Sequence, residues 1–86
     1  MASKRDRILK SAEKLVQKGK LEQAIREYEK LLKASPNDTN TYNRLGDLYG
    51  RVNEIDKAVE AYERVAHQFA EQGFIPKAIA IYKKIN

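Results

Sequence analysis

The chain has 86 residues, with 17 Lys and Arg, 12 Asp and Glu, one His and no Cys. That length holds one small domain with a limited core, and the single histidine, His67, and absent cysteines exclude disulfide frameworks, thiolate metal sites and multi-histidine metal sites. The net charge of +5 invites a nucleic acid or anionic surface, yet both signs alternate along the chain, as on solvated helix faces.

The opening residues Met1 to Asp6 carry no apolar run behind their charges, so no signal peptide is expected. No stretch approaches the roughly 18 apolar residues that span a bilayer. The expectation is a cytoplasmic chain with no membrane partner.

From there the apolar residues recur at helical spacing. Ile8, Ala12, Leu15 and Val16 form a first stripe, and Leu21, Ala24, Ile25, Tyr28, Leu31 and Leu32 a second. Tyr42, Leu45, Gly46, Tyr49 and Val52 form a third. The fourth is Ile55, Ala58, Val59, Tyr62, Val65, Ala66 and Phe69, and the fifth Ile75, Ala78, Ile79, Tyr82 and Ile85. Nothing alternates with period two, so no strand is expected. Between the stripes, Gly19, Asn53 and Gly73 suit left-handed helix-closing positions. Pro36 stops the second helix, and Asn37, Asp38 and Thr39 offer oxygens to cap the third. Pro76 fits the first turn of the fifth. The pattern predicts an all-α chain of five helices near 4–18, 21–34, 39–51, 55–72 and 75–86.

The stripes also repeat. Leu15, Gly19, Ala24, Tyr28 and Leu31 return 34 residues later as Tyr49, Asn53, Ala58, Tyr62 and Val65. They return again after a further 20 residues as Phe69, Gly73, Ala78, Tyr82 and Ile85. Each copy reads as a helical hairpin whose small Ala permits close approach and whose Tyr is a packing residue. One hairpin cannot bury its apolar faces alone, so stacking stabilises the array.

A helix–turn–helix period of 34 residues with Tyr42, Leu45, Gly46, Tyr49, Ala58 and Tyr62 resembles the tetratricopeptide repeat. The stretch from Gln72 through Ile85 is similar to bacterial proteins of this type, and the chain is expected to hold their N-terminal repeats. The resemblance implies a right-handed superhelical stack of antiparallel helix hairpins in a single domain, 1–86. Repeat one would span 5–38 and repeat two 39–72, with a partial third hairpin made of 59–72 and 75–86. The fourth helix would then serve two hairpins.

In this family the first helices of successive repeats line a concave groove that binds a peptide or protein segment. Carried onto this chain, the groove positions are Asp6, Leu9, Glu13 and Gln17 from the first helix. Asn40, Asn43, Asp47 and Arg51 come from the third, with Arg44 beside them. Members that clamp the carboxylate of chaperone tails use Lys and Asn where this chain has Leu9 and Glu13, and Glu13 would repel a carboxylate, which disfavours chaperone tails as partners.

Other chemistry is outweighed by plainer readings. The basic run Lys4, Arg5, Arg7, Lys10, Lys14 and Lys18 could meet phosphate or anionic lipid. Asp6 and Glu13 interrupt it and no aromatic residue is interleaved, which favours a solvated face over nucleic acid. His67 lies off the apolar stripe beside Arg64, Gln68 and Glu71, as an exposed histidine does. No nucleophile–base pair, paired carboxylates, metal-ligand cluster or cofactor motif is seen, so no enzyme, metal or cofactor is expected. The fifth helix carries Ile75, Ile79, Ile81 and Ile85 over more than one face. A terminal helix of a soluble array needs a polar outer face, so these four are candidates for self-association into a homo-oligomer. The sequence thus predicts a protein-interaction scaffold, with a self-assembling structural unit as alternative and an anion-binding first helix a distant third.

Overall fold

The computed structural model describes residues 3–85, with the side chain of Ile85 outside the description. Five α-helices follow one another: α1 Lys4–Gln17, α2 Leu21–Ala34, α3 Thr39–Arg51, α4 Ile55–Glu71 and α5 Ile75–Ile85. No strand occurs among the described residues.

The helix ends follow from local chemistry. Ser3 and Asp6 form a capping box on α1: the Asp6 N–H donates to Ser3 Oγ at 3.1 Å, and the Ser3 N–H donates to Asp6 Oδ2 at 3.4 Å. Asp38 caps α3, accepting from the Thr41 N–H at 3.2 Å. α2 stops at Ala34, two residues before Pro36. The other three turns share one closing device, the Schellman motif. Gly19, Asn53 and Gly73 have φ of 77°, 64° and 83°, the left-handed region that Gly tolerates best and Asn better than most. After each, an N–H reaches back over the turn. Lys20 donates to the Leu15 carbonyl at 2.9 Å, Glu54 to Tyr49 at 2.8 Å and Phe74 to Phe69 at 2.8 Å. In the last, the apolar contact that often accompanies this motif is present, with the Phe69 and Phe74 rings edge-to-face at 6.4 Å.

Each turn folds one helix back on the last, so α1 packs on α2, α3 on α4, and α4 again on α5, while α2 and α3 meet over a smaller area. The slab measures 35 × 31 × 18 Å, its thickness about two helix diameters. A pair of small residues 12 apart marks each close approach: Ala12 with Ala24, Gly46 with Ala58, and Ala66 with Ala78. All six are buried. One core cluster runs across α1 to α4 through Tyr28, Leu31, Leu45, Leu48 and Tyr49, and a second joins Val65 and Ala66 to Ile81. Tyr42 packs against both.

α5 departs from its predicted facing. Ile81, read in the sequence as surplus apolar surface, is buried against α4. Ile75, Ile79 and Tyr82, read as its core stripe, are 51%, 50% and 46% exposed. Tyr82 therefore differs from Tyr28, which is fully buried, and from Tyr62, which is half-buried. The reason is positional: Tyr28 and Tyr62 have a further helix to pack against, and Tyr82 has none among the described residues.

At Gly46 the approach leaves no room for a side chain. A Cβ there would lie 2.6–2.9 Å from the Tyr62 ring. Gly46→Ala should therefore strain the α3–α4 contact by about 1–3 kcal/mol, partly offset by the roughly 1 kcal/mol that Ala gains over Gly in a helix. Measured by urea denaturation, the substitution is expected to destabilise the native protein. In a Tyr62→Ala background the ring is gone, so adding Gly46→Ala should stabilise instead. The same loss in both backgrounds would show that Tyr62 is not the obstacle.

Candidate functional site: a cleft between α1 and α3

The α1 and α3 backbones stand apart, and between them is an open cleft of about 340 Å³. One wall is Glu13, Val16 and Gln17 of α1, and the other is Arg44, Asp47, Leu48 and Arg51 of α3. Tyr28 of α2 completes the lining. Helical spacing explains each wall: 13, 16 and 17 share one face of α1, and 44, 47, 48 and 51 share one face of α3.

Of the residues the family resemblance pointed to, the cleft brings together Glu13, Gln17, Arg44, Asp47 and Arg51. The other four lie elsewhere. Asp6 is engaged in the α1 capping box. Leu9 is half-buried and packs against the core. Asn40 is exposed in the first turn of α3. Asn43 accepts a hydrogen bond from Lys84 Nζ at 3.4 Å. Sequence reasoning did not foresee that core residues form the cleft's apolar floor. Val16 and Tyr28 belong to the core, as their stripes indicate, and the period that places Arg44 and Arg51 on one face also places the buried Leu48 between them.

The charges in the cleft are not equally free. Asp47 accepts from the Tyr62 hydroxyl and lies 3.9 Å from Lys84 Nζ. Lys84 also sits over the Tyr62 ring, 5.3 Å from its centroid. Burial, with help from Asp47, pushes the Tyr62 phenol well above its ordinary pKa. Burial also raises Tyr28; against it Arg44 pulls the value down, while Glu13 adds to the rise. The Tyr28 hydroxyl thus feels both walls of the cleft. Among the described residues, Glu13, Arg44 and Arg51 have no ion-pair partner.

Toward their N-terminal ends α1 and α3 are tied together. Arg5 of α1 donates to Asp38, the N-cap of α3, at 2.6 Å. Behind α3, Gln68 of α4 holds the α2–α3 connection, donating to the Asn37 carbonyl at 3.2 Å and accepting from the Thr39 hydroxyl. The rest of the basic run, Lys4, Arg7, Lys10, Lys14 and Lys18, is exposed. His67 is exposed too, with Glu71 at 3.0 Å. Among the described residues, no group of three or more His, Asp or Glu could hold a metal, and no helix is long and apolar enough to cross a membrane.

With the hairpins, the paired small residues and the cleft in place, comparison with known families bears on the first three helices. Residues 12–53 match the family described as TPR repeat. The chain carries a tetratricopeptide repeat. The matched segment takes in the second half of α1, all of α2 and α3, and the turn at Asn53, so it includes every residue that lines the cleft. No curated protein matches the chain. Tetratricopeptide repeats mediate protein–protein interaction, and the family is a non-enzymatic repeat scaffold.

The Arg5–Asp38 tie has a pH signature. Burial pushes the Asp38 carboxyl up, but the Arg5 guanidinium and the Thr41 donors outweigh it and hold the value below the ordinary carboxylate range. A lowered folded-state pKa gives stability that is present above the unfolded value, about 3.9, and is lost as pH falls through the folded one. Asp38→Asn keeps a capping oxygen and removes the charge. Its deficit relative to the native chain should be present at neutral pH and shrink away as the pH falls through the lowered folded-state value. Asp38→Ala also loses the cap and should cost about 1 kcal/mol more. Denaturation curves at a series of pH values check both, and a deficit for Asp38→Asn that is independent of pH would contradict the ion-pair account.

Proposed function

We propose that this tetratricopeptide-repeat protein is a binding scaffold that holds an extended segment of a partner protein in the α1–α3 cleft. The observation that supports it best is the cleft's lining: Val16 over the buried Tyr28 and Leu48, beside Glu13, Arg44 and Arg51, which have no ion-pair partner among the described residues. A small apolar surface with a few placed polar groups is how binding sites orient a ligand, and the reading is one of recognition rather than catalysis. In the same reading α4 is the second helix of one repeat and the first of a third hairpin, consistent with its packing on both α3 and α5.

A photo-crosslinking amino acid tests the site. Placed at Gln17, in the cleft, it should capture a partner from extract of the source cells. Placed at Glu60, outside it, it should not. Arg51→Glu should reduce the Gln17 crosslink several-fold while leaving helix content unchanged by circular dichroism. Crosslinks from Glu60 alone, or a Gln17 crosslink indifferent to Arg51→Glu, would remove the cleft from the account.

A second reading, self-association through α5, is favoured by one observation. Ile75, Ile79 and Tyr82 lie on one helical face and are about half exposed. Covering the two isoleucines would recover roughly 1 kcal/mol each. Of the four positions proposed from sequence, Ile81 faces inward and the Ile85 side chain lies outside the described residues. The test therefore uses Ile75 and Ile79. If α5 mediates assembly, sedimentation velocity should show mass rising with concentration, and Ile75→Ser with Ile79→Ser should return a monomer of unchanged helix content. A monomer at all concentrations in the native chain would dismiss this reading.

A further inference from the structure

The cleft's electrostatics go further than its shape. Four charged side chains line it: Glu13, Arg44, Asp47 and Arg51. Asp47 is already partnered inside the fold, by the Tyr62 hydroxyl and by Lys84. Among the described residues, the charges lining the cleft without an ion-pair partner are one carboxylate on the α1 wall and two guanidiniums on the α3 wall. Arg44 and Arg51 are seven residues apart, two turns along one face, so their backbone positions lie about 10 Å apart. Leu48 sits between them on that face, with Val16 on the opposite wall and Tyr28 completing the apolar lining.

We propose that the cleft selects an acidic peptide segment, in which an apolar side chain lies between two carboxylates spaced to meet Arg44 and Arg51. This rests on the cleft being the binding site. In a polyproline-II segment three residues make one turn and span about 9 Å, so two acidic residues three positions apart face the same way and match the arginine spacing. Guanidinium–carboxylate pairing is directional and can be bidentate. The apolar residue between the two acids rests against the part-exposed Val16, over a floor closed by the buried Tyr28 and Leu48. Glu13 then acts as a sorting charge: it repels carboxylates from the α1 wall and fixes the acidic edge of the ligand along α3. Gln17, next to it on the wall, is left to hydrogen-bond the ligand backbone. The net charge of +5 adds a general attraction for such a ligand.

Three capped dodecapeptides of Gly and Ser test this, each with one Leu and, flanking it three positions apart, two Glu, two Gln or two Lys. Each is titrated into the isotope-labelled chain and followed by amide chemical shifts. The expected result is shifts along α1 and α3 with the Glu peptide, binding at least about tenfold tighter than the Gln peptide. Arg51→Gln, with an unchanged fold by its remaining amide spectrum, should remove most of that advantage. Shifts in the cleft of equal affinity for Glu and Gln, or tighter binding of Lys, overturn the acidic preference and leave the cleft reading standing. A Glu advantage that survives both Arg44→Gln and Arg51→Gln assigns the attraction to overall charge and overturns the proposal as well. No cleft shifts with any of the three peptides overturn the proposal and the cleft reading together.

Discussion

The approach of α3 to α4 at Gly46 and Tyr62 is the contact from which the rest of the arrangement follows. There is no room for a side chain at Gly46, so the Tyr62 ring lies against the α3 backbone. From there its hydroxyl reaches Asp47, the next residue on α3. Lys84 from α5 closes over the same ring and the same carboxylate. One aromatic side chain thus sets the distance between two helices, holds the charge of a cleft residue, and seats the end of a third helix. Asp47 lines the cleft and is spoken for by the fold, which is why the charges left over are Glu13, Arg44 and Arg51.

α4 carries this arrangement because it is apolar on two sides. Ala58 and Ala61 join the core that runs back to α1, and Val65, Ala66 and Phe69 join the cluster with Ile81 of α5. Tyr62 packs on that second cluster while its ring meets Gly46 of α3. The small residue Ala66 is to Ala78 what Ala12 is to Ala24, 12 positions along in each case. Packing α4 on both α3 and α5 accompanies a recurrence of the repeated residues after 20 positions in place of 34. It also makes the array less separable than independent repeats would be, because a change on α4 reaches both the cleft wall and α5.

Much of the fold was legible in the sequence. The apolar stripes and three left-handed turn positions placed the helix boundaries within a residue or so, because those signals are local. Asp38 as a cap and Gly46 as a packing glycine were legible for the same reason. The facing of α5 was not. With isoleucines at 75, 79, 81 and 85, periodicity alone permits more than one buried face. The choice is made by the surface that α4 presents at Val65 and Ala66, which puts Ile81 inside. In the cleft, five charged or amide positions were legible through the family resemblance, but the Tyr62–Asp47–Lys84 cluster joins residues 15 and 37 positions apart in sequence. No local pattern encodes it, and it decides which charges are available.

The most direct measurement is native-state hydrogen exchange of the chain and of Tyr62→Ala. If α4 ties the cleft wall to α5 through Tyr62, amide protection should fall together in α3 and α5, while the α1–α2 hairpin keeps most of its own. Protection lost only around position 62, or lost in α5 with α3 untouched, would contradict the account.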